Sequence, residues 1–420
     1  MLNDAPYLAT APGVLATARS SLGAAAAAAP FAHCEVFDDI EQARASWAEV
    51  EGLARASPYQ SYGFVEAWFQ TTGRARNIQP MIVVARDRAG RIAALLPLGR
   101  SRRGLAWVAE FLGGADANFK MGLFCRDFDI DAEAIVDLLR RAARMTAPPV
   151  DVFLLTNQPL SWQGAANPMA ALPRQPSPSF GYKSALTTDF DAWLKNHHSK
   201  EARKKLRKKE RRLKEIGRLS HVIAQDEASA REILATFFEQ KGTRMQTLGA
   251  RNYYEAAHTI RFFEMAATKN IAHGTPILQL HALMSGARIV ATFGALAQAD
   301  RLCGMFISYD RDPEISRCSP GQLLILETIR NLSTQGVATF DLGVGEARYK
   351  YDNCEAEEPL FDAAVAVTPI GIAFGSAALL RQQIKRWAKQ TPWAWKVADG
   401  LRQGAYRLRG GSGLLHNRGS

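Results

Sequence analysis

The sequence has little of what marks several protein classes. Its five cysteines include no pair in a Cys-x-x-Cys spacing, which argues against a zinc site and against a disulfide framework. We therefore expect free thiols in a reducing, cytoplasmic environment, and no metal. The first thirty residues lack a basic segment ahead of an apolar run, which argues against a secretory signal.

Long apolar runs are also scarce. The longest uncharged stretch, residues 363–380, is broken by Pro369 and Gly371, and its first part predicts a strand rather than a membrane span. The alanine tract at residues 24–29 is closed by Pro30. We expect residues 1–30 to form a disordered leader.

The composition is that of an ordinary globular protein. Of the 420 residues, 47% are hydrophobic and 22% charged, and this length suggests two or three domains. Lys and Arg number 52 against 41 Asp and Glu, a net charge of +11. Such an excess favours an anionic partner.

The order of predicted elements repeats along the chain. Each half predicts two helices, a hairpin, further strands, a helix and a final strand, and the hairpins fall at residues 81–96 and 278–296. This order favours an α/β (α+β) body built twice, each with a mixed central sheet flanked by helices. The predicted domains are a leader (1–30), an N-terminal domain (33–190), a basic helical segment (191–220), a C-terminal domain (221–368) and a basic, Trp-containing tail (369–420).

Two segments of the C-terminal domain carry candidate chemistry. Ser319-Pro320-Gly321-Gln322 opens an apolar helix just after Arg317. A helix start offers unpaired N–H groups and a positive dipole end to phosphate. The alternative is ordinary capping by Ser319, with proline in the first helical position.

The second segment follows a buried strand and a Gly-containing turn. It presents Asp341, Glu346, Tyr349 and Lys350 within ten residues, where the carboxyl end of a strand favours ligand binding. Glu346 and Asp341 are candidate general bases, with His281 a third, and Lys350 could stabilise developing negative charge. The alternative is a solvated turn with one structural ion pair.

Together these segments resemble a known family. The Ser-Pro-Gly helix start, the pattern Phe-Asp-Leu-Gly-x-Gly-Glu-x-x-Tyr-Lys at residues 340–350 and the basic run 198–213 resemble GNAT-type acetyltransferases of the CelD-like branch (cellulose and exopolysaccharide biosynthesis). That branch is similar to the FemABX aminoacyl transferases. The resemblance spans residues 33–370 and is strongest over 190–352.

The resemblance implies tandem GNAT-like (acyl-CoA N-acyltransferase) domains, with acetyl-CoA as donor. Arg317, Ser319, Gly321 and Gln322 would hold the CoA pyrophosphate, although one glycine stands where the family pattern has two. An edge strand over residues 302–309 would line the pantetheine arm. Glu346, Lys350, Asp341 and Tyr349 would be the catalytic group, with Tyr349 protonating the thiolate. The first domain lacks such a loop and would shape the acceptor cleft.

The resemblance and the charge pattern together predict the function. We expect a cytoplasmic acyltransferase acting on an amine or hydroxyl of a sugar or lipid-linked sugar in polysaccharide or envelope assembly. The basic run 195–218 and the tail, where Trp387 lies among Lys and Arg, favour peripheral contact with the inner membrane face. Nucleic acid is not expected from the basic run, since aromatic residues are not interleaved with its charges. The alternatives are a FemABX-like aminoacyl transferase using aminoacyl-tRNA, and a non-catalytic scaffold that binds glycan or membrane.

Overall fold

The computed structural model describes residues 31–54, 56–298 and 300–391, so the predicted leader and the tail beyond residue 391 lie outside it. The first half contains β1 (His33–Phe37), α1 (Arg44–Glu51), α2 (Tyr62–Trp68), β2 (Gln79–Arg86), β3 (Ile92–Arg103), β4 (Ala106–Phe111), β5 (Leu123–Phe124), α3 (Ala132–Arg144), β6 (Val152–Pro159), β7 (Ser161–Trp162), β8 (Ala165–Ala166) and β9 (Arg174–Pro176).

The second half is longer and more helical. It contains β10 (Gly181–Ala185), α4 (Phe190–His197), α5 (Lys200–Ile216), β11 (Leu219–Ile223), α6 (Glu227–Thr247), α7 (Ala257–Thr268), β12 (Gln279–Ser285), β13 (Arg288–Gln298), β14 (Arg301–Tyr309), α8 (Pro313–Ser316), α9 (Pro320–Thr334), β15 (Thr339–Val344), α10 (Arg348–Tyr351), β16 (Ala356–Glu358), β17 (Leu360–Ala366) and α11 (Pro369–Gln390).

Two mixed sheets confirm the predicted fold class. The first has the order β1-β2-β3-β4-β6-β17-β9, with β5 on β3, and the second β11-β12-β13-β14-β15-β10-β16. Each sheet has one parallel pair, β4 with β6 and β14 with β15. Helices α3 and α9 make the crossovers between these parallel strands, as parallel pairing requires.

Local sequence explains these elements. At the β2–β3 turn, Asp87 accepts from the N–H groups of Ala89 and Arg91, and Gly90 supplies the positive φ of 82°. Helix α3 begins where Asp131 caps the N–H of Ala134. Helix α9 has proline in its first turn and buries most of its apolar residues.

Relative to the predicted domains, the two sheets exchange strands. Strand β10 pairs with β15 in the second sheet, and β17 leaves the second half to pair with β6 in the first sheet. The predicted boundaries placed β10 in the N-terminal domain and β17 in the C-terminal domain, so they do not follow the sheets. The reason is that long-range pairing decides which sheet a strand joins, and neither the mixed sequence of β10 (Gly-Tyr-Lys-Ser-Ala) nor the apolar run of β17 encodes that pairing locally.

The helices of both halves share one core. The rings of Phe64 (α2) and Phe262 (α7) meet edge to face at 5.4 Å, and Phe237 (α6) stacks on Phe306 (β14) at 3.9 Å. Aromatic pairs of this kind bury large apolar areas. The halves are therefore packed together through α1, α2, α6 and α7.

Helix α5 carries the basic run, after a break at His198 and Ser199. Ser199 caps the N–H of Ala202, and Leu213 is fully buried with Leu206 packed beside it. Ile216, in the last turn of the same helix, is 48% exposed. Within the described ranges, no helix is both long enough and apolar enough to cross a bilayer.

Candidate functional site

The parallel strands β14 and β15 separate soon after they meet. Their pairing runs from Arg301 with Thr339 to Cys303 with Asp341, whereas β14 continues to Tyr309. The register between β13 and β14 shifts where Gly294 faces Phe306 and Ala295 faces Gly304. This bulge bends β14 away from β15. We call the opening between residues 304–309 and 342–344 the cleft.

The strand over residues 302–309 is therefore not the edge strand that the resemblance implied. It lies between β13 and β15 in the second sheet. Only its part from Met305 onward has an edge that β15 leaves open. The β13–β14 bulge produces that open edge, and a single sequence does not reveal such a bulge.

The first half of the chain closes the base of the cleft. The Asn118 side chain donates to the Gly304 carbonyl (3.1 Å) and to the Tyr59 hydroxyl (2.9 Å). Gly343, at φ 73°, has room for no side chain, since a Cβ there would lie 2.5 Å from Asn118 and 2.7 Å from the Gly304 carbonyl. Asn118 thus acts as a wedge where β14 and β15 diverge.

The start of α9 lies beyond the open part of β14. Ser319 has a left-handed backbone (φ 51°), and its carbonyl accepts from the N–H groups of Gln322 (3.0 Å) and Leu323 (3.2 Å). Its hydroxyl accepts from Lys209 Nζ of α5 at 2.7 Å. Of the predicted donors, the Gly321 N–H is the one without an acceptor in the described structure. The basic run thus reaches the helix start, which the sequence did not predict.

The other two residues predicted to bind phosphate, Gln322 and Arg317, lie in different surroundings. The Gln322 amide exchanges two hydrogen bonds with the Asn353 side chain, at 2.9 and 3.1 Å. Asn353, fully buried, also donates to the Tyr349 carbonyl. Gln322 therefore braces the Tyr349 loop against α9, while the Arg317 side chain is exposed at the surface.

Asp341 is enclosed in an ion pair and is not a free base. Arg301 bonds its carboxylate and that of Glu358 (2.7 Å), and the Gly343 N–H donates to Asp341 as well. Burial raises the pKa of Asp341 while Arg301 opposes that rise. Burial alone would lower the pKa of Arg301, but the two carboxylates reverse this and raise it. The guanidinium also stacks on Trp162 at 3.9 Å. Asp341 therefore anchors the end of β15.

Lys350 and Glu346 point to different partners. Lys350 Nζ is buried and donates to the carbonyls of Gly343 and Val344, both at 3.1 Å. Burial lowers the pKa of Lys350 to about 8, with Asp341 opposing the shift. Glu346 instead faces α11, where Lys389 Nζ lies 3.3 Å from its carboxylate. Lys350 therefore fixes the strand end, and Glu346 stays partly exposed on the loop.

Tyr349 packs against the apolar cluster that includes the buried face of α9, and the cation of Arg244 on α6 acts on it electrostatically. Burial raises the pKa of Tyr349 to about 12, and the nearby cation of Arg244 opposes the rise. One turn earlier, Lys241 Nζ lies over the Tyr254 ring at 5.7 Å, and burial lowers the pKa of Lys241 to about 8. The sequence analysis missed both α6 cations, although their spacing on a predicted helix was a usable signal.

His281 does not join this group. Its Nδ1 lies 3.0 Å from Nε2 of His221, with the two rings stacked. Burial lowers the pKa of His281 to about 3, and His221 adds to the shift. As a candidate base His281 is wrong, because it is fully enclosed in the core.

Comparisons with known proteins agree with this geometry. Residues 200–351 match the model of the acetyltransferase (GNAT) domain. The solved structure of FemX is similar, at a TM-score of 0.53 and 9% identity over 82% of this chain and all of that one (100%). No curated protein matches the sequence.

Two further solved structures are more distant in shape. The C-terminal domain of a putative lysylphosphatidylglycerol synthetase from Agrobacterium fabrum has a TM-score of 0.47 and 12% identity, over 81% of this chain and 97% of that one. A tandem GNAT protein from the clavulanic acid biosynthesis pathway has a TM-score of 0.46 and 11% identity, over 80% and 99%. The protein thus has a mixed α/β fold shared with FemX, and residues 200–351 are similar to the acetyltransferase (GNAT) domain.

Proposed function

We propose that this protein is an acyltransferase that moves an acyl group from a CoA thioester to an amine or hydroxyl in the cleft. The observation that carries the proposal is the divergence of β14 from β15 beside the start of α9. The open edge of β14 offers backbone groups that an extended pantetheine arm can pair with, as an added strand does. A backbone N–H of the same edge can stabilise the oxyanion of the tetrahedral intermediate.

The donor's phosphates belong at the α9 start. The Gly321 N–H and the helix dipole attract negative charge there. Lys209 adds a cation, held in place by the Ser319 hydroxyl. Arg317, exposed just before the helix, extends the same positive patch.

Tyr349 and Glu346 are the proton carriers of this proposal. The acceptor loses its proton to the Glu346 carboxylate as its lone pair attacks the thioester carbonyl, and collapse of the intermediate breaks the C–S bond. Tyr349, neutral over the working pH range because burial raises its pKa, gives its proton to the leaving thiolate and regains one from solvent. Lys350 and Asp341 keep the end of β15 in position.

For the acceptor we propose a sugar or lipid-linked sugar in polysaccharide or envelope assembly, with acetyl-CoA as donor, as in the CelD-like branch. A second candidate is aminoacyl transfer from tRNA. It is favoured by the FemX-like fold together with the wide basic face of α5. A non-catalytic scaffold is the third, and it would retain the fold without a functional cleft.

Calorimetry and product analysis test these alternatives. We expect acetyl-CoA to bind with one site per chain, and mass spectrometry to find acyl transfer to one of a panel of glycan acceptors. Lys350→Ala and Glu346→Gln should lose most turnover and keep the circular dichroism spectrum. The exposed Glu357→Gln is the matched control and should behave as wild type.

Other results would point elsewhere. Binding of aminoacyl-tRNA without CoA binding would replace the donor assignment. Absence of both, with Lys350→Ala and Glu346→Gln as active in cells as wild type, would leave the scaffold.

A further inference from the structure

The last helix, α11, has an apolar stripe on the face turned away from the protein. Its inner face buries Gly371, Gly375 and Leu379 against the first sheet. A Cβ at Gly371 would lie 1.8 Å from the Asp151 carbonyl, so the helix lies directly on the sheet. The opposite face carries exposed apolar residues at alternating spacings of three and four: Ile370, Ala373, Ala377, Leu380, Ile384 and Trp387.

This stripe is unusual for a solvent-facing helix surface. Leu380 is 55% exposed and Ile384 58%. Spacings of three and four keep such residues on one side of a helix over several turns. A continuous exposed apolar stripe of this kind marks a surface that something else covers.

The charges around the stripe restrict what can cover it. The helix has four basic residues and no acidic one: Arg381, Lys385, Arg386 and Lys389. Arg381 and Lys385 are exposed. The sequence after the helix adds five basic residues and one acidic residue, namely Lys396, Arg402, Arg407, Arg409 and Arg418 against Asp399.

We propose that α11 is an interfacial helix that docks this protein on an anionic lipid bilayer. Apolar side chains along one face, flanked by cations, are the features by which a helix lies in the headgroup region. A second copy of the chain is disfavoured, because pairing α11 with itself would bring two cationic helices together without acidic partners.

The docking helix also contacts the candidate site. Lys389 donates to the Ser179 hydroxyl and lies 3.3 Å from Glu346, three residues before Tyr349. A bilayer beneath α11 therefore lies on the side of the molecule where this loop approaches the helix. This step rests on the proposed function. The position of the loop on the bilayer side favours an acceptor carried in the membrane over a freely diffusing one.

Vesicle co-sedimentation of the full-length protein tests the docking directly. We expect binding to vesicles of equal parts phosphatidylcholine and phosphatidylglycerol, weak binding to pure phosphatidylcholine, and loss at high salt because the charges are screened. Leu380→Glu/Ile384→Glu should lower the bound-to-free ratio at least tenfold. Leu105→Glu is the matched control, since Leu105 is 79% exposed in the β3–β4 turn.

A second variant keeps the test independent of folding. Arg381→Glu/Lys385→Glu leaves the apolar stripe intact and should weaken binding to the anionic vesicles several-fold. Circular dichroism melts of both variants should match wild type, because the changed side chains face solvent. None of these measurements depends on catalysis, so the proposed function can fail while the docking holds.

Four results would overturn the proposal. The first is wild-type binding by Leu380→Glu/Ile384→Glu, and the second is no binding of wild type to anionic vesicles. The third is a lipid-free dimer in sedimentation velocity that Leu380→Glu/Ile384→Glu dissociates, which would make the stripe a self-association surface. Loss of binding only on changing exposed α5 lysines, such as Lys204→Glu, would equally remove α11 from the contact.

Discussion

Replacing Arg301 by methionine should destabilise the protein strongly, because this one guanidinium neutralises two buried carboxylates. Arg301 is 5% exposed, and its partners Asp341 and Glu358 have side chains exposed by 0% and 7%. Methionine keeps an unbranched side chain that can still pack on Trp162. The substitution therefore removes the charge and leaves most of the volume.

The size of the effect follows from this burial. Removing one partner of a buried ion pair costs about 3–5 kcal/mol, since the other charge is left without compensation. With two carboxylates on one cation, we expect the upper part of that range. Arg103→Met is the matched control, because Arg103 pairs with Glu110 at the surface, where the side chains are 45% and 31% exposed. An exposed pair contributes at most about 1 kcal/mol.

Urea unfolding at two pH values provides the assay. Burial raises the pKa of Asp341, and loss of the guanidinium removes the effect that opposes this. An acid with a raised folded-state pKa destabilises the fold while ionised, and the penalty fades as pH falls toward its unfolded value. The difference between Arg301→Met and wild type should thus be larger at pH 7.5 than at pH 5. A cost similar to that of Arg103→Met, or one independent of pH, would refute the buried ion pair.

Three further outcomes are expected. Lys209→Ala should raise the KM for acyl-CoA about tenfold, because one charge-assisted contact to phosphate is lost. Lys208→Ala on the same helix should change that KM little, and steady-state kinetics measures both. Tyr349→Phe should lower kcat about a hundredfold or more with KM nearly unchanged. A fall in kcat accompanied by an equally large rise in KM would instead make Tyr349 a packing residue. Because burial lowers the pKa of His281 to about 3, the unfolded chain takes up its proton first, so the free energy of unfolding should drop as pH falls from about 6.5 toward 4. His281→Gln should flatten that dependence in urea titrations, and the exposed His273→Gln should not.

Much of the fold could be predicted from local patterns. The β2–β3 hairpin and helices α3 and α9 follow from alternation, turn residues and caps within short windows. The exchange of β10 and β17 could not be predicted, because neither the mixed polar and apolar residues of β10 nor the apolar run of β17 indicate locally which sheet receives the strand.

The candidate site shows the same limit. The sequence predicted Ser319, Glu346 and Tyr349 as members of one site. In the structure, hydrogen bonds of Gln322 and Asn353 join the Tyr349 loop to the start of α9. It did not predict that Asp341 is paired with Arg301, since the partner lies forty residues earlier in the chain. Whether a carboxylate is a base or an anchor depends on such long-range partners, which residue type and spacing leave open.

The strand exchange also bears on how the site is held. Because β17 completes the first sheet and leads directly into α11, the end of the second half is fixed to the first. Glu358, just before β17, bonds Arg301, and Arg301 holds the end of β15 where the cleft opens. Asn118 from the first half enters the base of the same cleft. The second half therefore depends on the first for two contacts at its site: the Asn118 side chain at the base of the cleft and the Trp162 ring on which Arg301 stacks.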